Sequence, residues 1–565
     1  MAALLAAVGL VGHSYNLAKI LGDPDDAMRL VLVRDLMGGR GWYDQVITRL
    51  QPPAGVVLHW SRLLDGALAM TAKVFGLFLS PDAAEIAMRF LWPLVWTLPA
   101  LMCALAISRR LGGSLAIFVC AVLFASNQQA FEQFAPGRID HHNIQIVMTL
   151  IAAACAMAKE HRSWWALMAG AATGLGLAIG IEALPFHFLI GTSYAVEAVM
   201  GDDDRSTTSN YALSLSGACL LFFCLQTPPW RWSLSFCDAI GLNLVVAIAI
   251  TSCGLLAISV KRFCLTLRAR LLILVAAAAA ATGAYLALNP HCIGGPLAAI
   301  DPQIRPFWFN IVDEMQPLPI IFKRYRDLGI SLAWLTTLML VTVFFLLTRG
   351  WPRRRHADLL AITLVILAVV AGFQAFRMES YVFWLGFPLL AAGTGVVATR
   401  LWKGLMVPTV LACVFLSPAG VEALSLAGET IFGSGHGVPQ GLVENRCHNT
   451  AEFGQLRALP SGLVLADISM GPFILANTKH SILNAPYHRM SFGILAAHDA
   501  LTMKSVEAED KFHELKIDYL VYCQMKSAQA VPRSVEWDLS RGQVPSWLEP
   551  LSDKAATLQV YLVRS

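Results

Sequence analysis

A polytopic α-helical membrane domain followed by a small α/β domain is the architecture this sequence specifies. Composition, apolar run length and a change of texture near residue 437 each point to it. Of the 565 residues, 56% are hydrophobic and only 14% charged, and the mean hydropathy is +0.59. Ordinary soluble chains carry about 25% charged residues. A soluble globular enzyme and a disordered chain are therefore both excluded. The net charge of +4 gives no global basic field, so nucleic acid is not an expected partner. The 12 cysteines are scattered without a CxxC pair, which argues against a zinc site or a dense disulfide framework.

A helix needs about 20 apolar residues to cross a bilayer. Such stretches lie near 1–21, 84–107, 112–126, 142–158, 163–181, 183–199, 211–226, 237–260, 271–287, 327–348, 357–376, 379–399 and 404–434, about 13 transmembrane helices in all. The first is followed by GDPDD instead of a small-residue cleavage site, so it reads as a retained span. The connecting loops alternate in charge. SRR (108–110), KEHR (159–162), GDDDR (201–205), KRFCLTLRAR (261–270), RGWPRRR (349–355) and TRLWK (399–403) together hold fifteen Lys and Arg. The long loops 22–83 and 288–326 hold ten in 101 residues. Positive charge marks the cytoplasmic side. This predicts a cytoplasmic amino terminus, extracytoplasmic long loops and, with an odd number of spans, an extracytoplasmic carboxyl terminus.

The stretch 438–565 is more polar, with short apolar pieces. LVLAD (463–467), SILNA (481–485), DYLVYC (518–523) and LQVYLV (558–563) read as strands, and 494–504 and 505–516 as helices. Strands alternating with helices suggest a small α/β domain. The domain boundaries read 1–437 and 438–565. Cys447 and Cys523 fall in the second part, either as a disulfide or as two free thiols.

The unusual polar clusters all fall in outer loops. GDPDDAMRLVLVRDL (22–36) places Asp23, Asp25 and Asp26 where an amphipathic helix begins. One aspartate explains a cap; three exceed what a cap requires. PGRIDHHNIQ (136–145) sets Asp140, His141 and His142 at a membrane edge, where a carboxylate and an imidazole two positions on can share one divalent ion. The bland alternative is a polar turn in which Arg138 pairs with Asp140. The segment lacks the cysteines of a DHHC acyltransferase. FWFNIVDEMQPLP (307–319) places Asp313 and Glu314 among aromatic residues, where acids cost desolvation unless paired or on a metal. FRMES (376–380) puts Arg377 at the membrane lip, suited to snorkelling or to phosphate. Taken together, carboxylates, a histidine and an arginine on one face equip a site to stabilise a phosphate leaving group with a divalent cation, Mg²⁺ or Mn²⁺.

With these segments in view, the chain resembles the GT-C membrane glycosyltransferases, and more narrowly the catalytic subunit of archaeal and bacterial single-subunit oligosaccharyltransferases. Asp23-Pro24 with Arg29 resembles that family's DPxxxxR after the first span, leaving Asp25 and Asp26 as competing metal-binding acids. PPAGVVLHWSRLLD (52–65) resembles the tail of the same loop. Asp140-His141-His142 resembles the DxD-type motif, read DxH in archaeal members, and NIVDEMQP (310–317) resembles SVSEHQP, which places Glu314 on the catalytic glutamate. Arg377 lies where the family keeps an arginine on the donor phosphate. VLADISMGPFIL (464–475), HSILNAPYHR (480–489) and KIDYLVY (516–522) resemble the start of the outer domain. The departure is at WWDYG, the family's reader of the N-glycosylation sequon. Here the place reads ADISMG (466–471), in which only Asp467 echoes the motif.

The resemblance implies a GT-C fold with catalytic outer loops 22–83, 127–141 and 288–326. It implies a metal held by Asp25, Asp140, His142 and Glu314, catalytic acids among Asp25, Asp26 and Glu314, and Arg377 on the donor phosphate. Asp23, His141, Asp467, His488 and Arg489 form a second tier. The expected partners are a lipid-linked sugar donor, a protein, lipid or saccharide acceptor and the surrounding membrane lipids. Two rival readings stand beside it. One is a GT-C transferase using a polyprenyl-monophosphate sugar. The other is a transporter or flippase, which would place ionisable residues near mid-span.

Overall fold

The computed structural model describes residues 18, 20–158, 162–200, 205–259, 266–310, 312–350, 356–401, 420, 446–524, 531–553 and 556–564. Nearly all of the first and last apolar stretches, and the 437/438 boundary, lie outside the described residues. Between them the chain is helical. After the amphipathic α1 (Pro24–Met37) and α2 (Arg62–Gly76) come α3 (Pro81–Ala125), α4 (His142–Ala156), α5 (Arg162–Ile179), α6 (Leu184–Met200), α7 (Arg205–Gln226), α8 (Leu242–Ser259) and α9 (Leu267–Leu288). The series continues with the short α10 (Leu318–Arg324), then α11 (Arg326–Phe345), α12 (His356–Gln374) and α13 (Glu379–Leu401).

The apolar runs 84–107 and 112–126 form α3, which is really two helices meeting at Gly113 (φ +75°, ψ −158°). Ser108 Oγ donates to the Ala116 carbonyl at 2.7 Å. Eight residues of unbroken helix would separate them by about 12 Å, so the chain doubles back at the pair of glycines. Six described helices are long and apolar enough to cross a membrane. Their outward faces stay apolar: Leu272 and Val275 of α9 are 70% and 66% exposed. In water such a surface would be a liability; against lipid it is the required contact. The protein is a multi-pass membrane protein.

The predicted span 237–260 starts late. Residues 237–241 belong to a loop, and α8 begins at Leu242. Cys237 is held there by a disulfide to Cys292 in the loop after α9. Neither partner was distinguishable by spacing.

The carboxyl-terminal part folds around a five-stranded sheet of order β2-β1-β3-β5-β4. β1 (Leu463–Ala466) pairs in parallel with β2 (Ser481–Ile482) and β3 (Tyr519–Cys523). β5 (Leu558–Val563) is antiparallel to both β3 and β4 (Leu548–Pro550). Helices Ser491–Thr502 and Ser505–Glu514 fall on the predicted segments, while Gly471–Asn477 and Val535–Ser540 were not foreseen. Cys447 and Cys523 form a disulfide. The sheet is extended by the loop between α1 and α2: Ile482 N donates to Arg49 O at 2.9 Å and Gln51 N to Ile482 O at 3.0 Å. Arg49 also caps the carbonyls of Leu475, Thr478 and His480. The small domain thus presses the first loop against the helical part.

Candidate active site

Helix α1 starts the site. Asp23 caps it, accepting from Asp25 N at 2.8 Å, and Pro24 sits in the first turn, where its missing N–H costs nothing. The three aspartates divide the work. Asp23 also pairs with Arg138 at 2.8 Å. Asp26 accepts from the backbone N–H groups of Ile139 and Asp140 at 2.8 and 3.0 Å, and from Arg138 at 3.0 Å. It clamps the second loop to the first, and its oxygens are committed to that clamp. Burial lifts its pKa to about 7 against the pull of Arg138. Among the described contacts the Asp25 carboxylate has no such anchor. Burial, then Asp140, Asp23 and Glu314, push its pKa well above the usual carboxylate range.

The second loop is seated by Trp384 of α13. Its ring is fully buried among Phe124, Phe131 and Phe134, and its Nε1 donates to Ala130 O at 2.8 Å. The chain then delivers Asp140, 2% exposed, to the start of α4. Asp140 Oδ1 meets His141 Nδ1 at 2.5 Å and Arg29 at 3.5 Å. Arg29 is itself fully buried, donating to Asp65 at 2.7 Å and lying 4.4 Å over the ring of Trp60. Burial opposes the ionised Asp140, but His141, His142 and Arg29 hold its pKa well below normal. The other oxygen, Oδ2, is buried with no hydrogen-bond partner among the described residues. It lies 3.4 Å from His142 Nε2, which in turn lies 3.9 Å from Glu314.

His141 plays a different part. Its second nitrogen reaches Glu182 at 3.1 Å. Burial works against its charge, yet Asp140 and Glu182 outweigh burial and lift its pKa to about 10. An imidazolium wedged between two carboxylates has no lone pair to give a metal. Glu182 also lies 3.5 Å from Arg377. No motif announces this acid; its only sequence signal is an isolated carboxylate between two apolar runs.

In the loop after α9, Asp313 is bound by Arg324 and by Tyr325 Oη at 2.7 Å, so Glu314 is the acid left facing the site. Partial withdrawal from water and the Asp23 carboxylate push its pKa to about 8, against Arg138 and Arg377. Phe376 N donates to Gln316 O at 2.9 Å, which brings Arg377 beside Glu314. Both line the same cavity.

The remaining candidates are elsewhere. His488 and Arg489 bind Asp238, at 2.8 Å and at 2.8 and 2.7 Å. Asp467 turns inward on its own loop, accepting from Ser469 N and Oγ at 3.0 and 2.6 Å.

No protein-family model matches the chain, and no curated protein matches it by sequence. Solved structures do. The apo form of the Archaeoglobus fulgidus oligosaccharyltransferase is similar at TM-score 0.65 and 14% identity, over 89% of this chain and 66% of that one. The same archaeal enzyme, AglB, in complex with an inhibitory peptide and a dolichol-phosphate gives TM-score 0.63 at 13% identity, again over 89% and 66%. Its complex with Zn and sulfate gives 0.59 at 14% identity, over 89% and 64%. The fold is that of a GT-C glycosyltransferase. The chain spans about two thirds of the length of that relative. Within the GT-C fold, the two loops carrying Asp140 and Glu314 meet above the helices although 174 positions separate them.

Proposed function

We propose that this chain is a metal-dependent membrane glycosyltransferase, oligosaccharyltransferase-like and inverting. It would move a sugar or oligosaccharide from a polyprenyl-(pyro)phosphate donor to an acceptor on the extracytoplasmic side. One observation carries the reading: the orphaned, buried Asp140 Oδ2 faces His142, which lies 3.9 Å from Glu314, beside a cavity that Glu314 and Arg377 line. Buried carboxylate oxygens are seldom left unpaired, and carboxylates with one imidazole suit a divalent cation. The AglB structures support it, being complexes with dolichol-phosphate, with Zn and sulfate, and with an acceptor peptide containing the NVT sequon.

Asp25, Asp140, His142 and Glu314 would hold Mg²⁺ or Mn²⁺. When bound, the cation supplies positive charge opposite the departing phosphate oxygens. Arg377 binds the same phosphate from the cavity side. His141 and Glu182 fix the Asp140 carboxylate, and Asp26 with Arg138 fixes the loop that bears it. The bond from the anomeric carbon to the phosphate oxygen breaks, with its electrons left on phosphate. The acceptor attacks from the opposite face, and Asp25 or Glu314 takes its proton. With Asp467 occupied by Ser469, and no tryptophan pair beside it, acceptor selection differs from that of a sequon reader. Residues 1–437 would form the membrane domain, amino terminus cytoplasmic, and 438–565 the extracytoplasmic domain.

The test uses membranes containing the full chain and a radiolabelled lipid-linked sugar. Alanine at Asp140 or at Glu314 should abolish transfer while the protein stays in the membrane. Full activity in either variant removes the proposal.

A further inference from the structure

Two buried arginines share one buried carboxylate beside the site. Arg29 comes from α1, and Arg62 and Asp65 lie in the first turn of α2. Asp65 Oδ1 accepts from Arg29 Nη1 at 2.7 Å, and its Oδ2 lies 3.5 Å from Arg62 Nη1. Arg62 is itself braced: it donates to the carbonyls of Trp42, Gly41 and Asp44 at 3.0, 3.1 and 3.2 Å. Asp65 is thereby held on one side by a fixed guanidinium and turns its other oxygen to Arg29.

Arg29 is bound less symmetrically than a simple brace requires. Its Nη2 faces Asp140 Oδ1 at 3.5 Å, an ionic contact without a hydrogen bond. Its Nε and Nη2 are both buried with no hydrogen-bond partner among the described residues. The guanidinium therefore has unused donors close to a second carboxylate. What an arginine does to a carboxylate within its full reach is visible at Asp238, where Arg489 donates to both oxygens at 2.8 and 2.7 Å. A carboxylate held in that way has its charge met and its lone pairs filled, which leaves little for a cation. A buried guanidinium that loses its carboxylate is left uncompensated. Without Asp65, Arg29 would close on Asp140.

We propose that Asp65 is a positioning residue of the candidate cation site: it holds Arg29 off Asp140 and so keeps the Asp140 carboxylate free to bind a divalent cation. Asp65 also offsets the positive charge of Arg29, which repels a cation bound at Asp140. The inference rests on the cation reading of the site and gives a role to a carboxylate that reading leaves unused.

The experiment measures the Mn²⁺ dissociation constant of the purified full-length protein by electron paramagnetic resonance, with thermal unfolding as the check on folding. Asp65→Asn should weaken Mn²⁺ binding by about 10–100-fold, the usual effect of losing a partner that orients a metal ligand. Asp65→Glu, which keeps the charge, should retain part of the affinity. Arg29→Met should bind Mn²⁺ at least as tightly as wild type, because the competitor for Asp140 is gone. Asp65→Asn combined with Arg29→Met should recover at least about tenfold of the affinity that Asp65→Asn loses. A merely structural Asp65 predicts no such rescue. Where Asp65→Asn does not fold, the double variant and Arg29→Met, neither of which has an uncompensated Arg29, still decide the matter: both should stay within about tenfold of wild type. Undiminished affinity in Asp65→Asn, no rescue in the double variant, or a loss beyond about tenfold in Arg29→Met overturns the role given to Asp65. Failure of wild type to bind Mn²⁺ instead overturns the cation reading beneath it.

Discussion

Two clusters on this protein use the same residue types and are partnered in opposite ways. Asp140, His141 and His142 form one; His59, Asp238 and His488 form the other, and in each the potential ligand atoms lie within 4.8 Å of one another. In the second, both oxygens of Asp238 are saturated by Arg489 and His488, and the guanidinium already neutralises the charge. Burial opposes its ionised form, but those hydrogen bonds hold the pKa far below the usual carboxylate range. Arg489 also reaches Val57 O at 3.2 Å, so the cluster clasps the small domain to two loops of the helical part. The adjacent Cys237–Cys292 disulfide fastens a third. In the first cluster one carboxylate oxygen is left over, and neighbouring Asp25 and Glu314 carry raised pKa values. Residue identity does not separate a clasp from a candidate cation site. Counting partners for each buried oxygen does.

That contrast predicts a ranked set of outcomes. The largest is Asp140→Ala, which should lower glycan transfer by at least about 100-fold. Asp238→Ala should leave transfer within about 10-fold of wild type. Equal losses in the two, measured with the same radiolabelled donor, would erase the distinction. Next is Glu182→Gln. It removes the carboxylate that charges and positions His141, and Mn²⁺ affinity should fall by about 10–100-fold. An unchanged dissociation constant would show that His141 is oriented without it.

The third outcome concerns pH. With Glu314 titrating near 8 in the metal-free protein, it is mostly protonated at pH 7, and a cation must displace that proton. Mn²⁺ affinity should therefore rise with pH by at least about tenfold per unit below pH 8, and more steeply where Asp25 must lose a proton as well. A flat profile from pH 6 to 9 would contradict this. The clasp responds in a different window. A carboxylate depressed on folding stabilises fully above its unfolded pKa of about 3.9 and loses that stabilisation as pH falls toward its lower folded value. Docking through Asp238 should be constant from pH 8 to 5 and weaken only below about 4. The smallest effect on transfer belongs to Asp238→Asn, whose cost appears in stability, about 2–5 kcal/mol. Thermal unfolding of the purified protein reads it directly.

Much of this architecture was legible in the sequence because its signals are local. Apolar run length marked the spans, and alternating charge marked the loops. Short apolar pieces marked β1, β3 and β5. Asp140, His142 and Glu314 stood out as acids and imidazole in aromatic or apolar settings. What was hidden depends on distant partners. Asp23 and Asp26 read the same as Asp25 until Arg138 and two backbone N–H groups claim them. Asp313 and Glu314 are adjacent, and only Arg324 and Tyr325 tell them apart. Glu182 is an isolated acid without a motif. Asp238 was concealed inside an apolar run that the hydropathy pattern assigns to a span. β4, at three residues, is too short to show alternation.

The most direct measurement is Mn²⁺ binding to purified full-length protein, comparing wild type with Asp140→Asn and Asp238→Asn. The account predicts saturable binding in wild type and Asp238→Asn, and its loss in Asp140→Asn. Undisturbed binding in Asp140→Asn, or loss in Asp238→Asn alone, would contradict it.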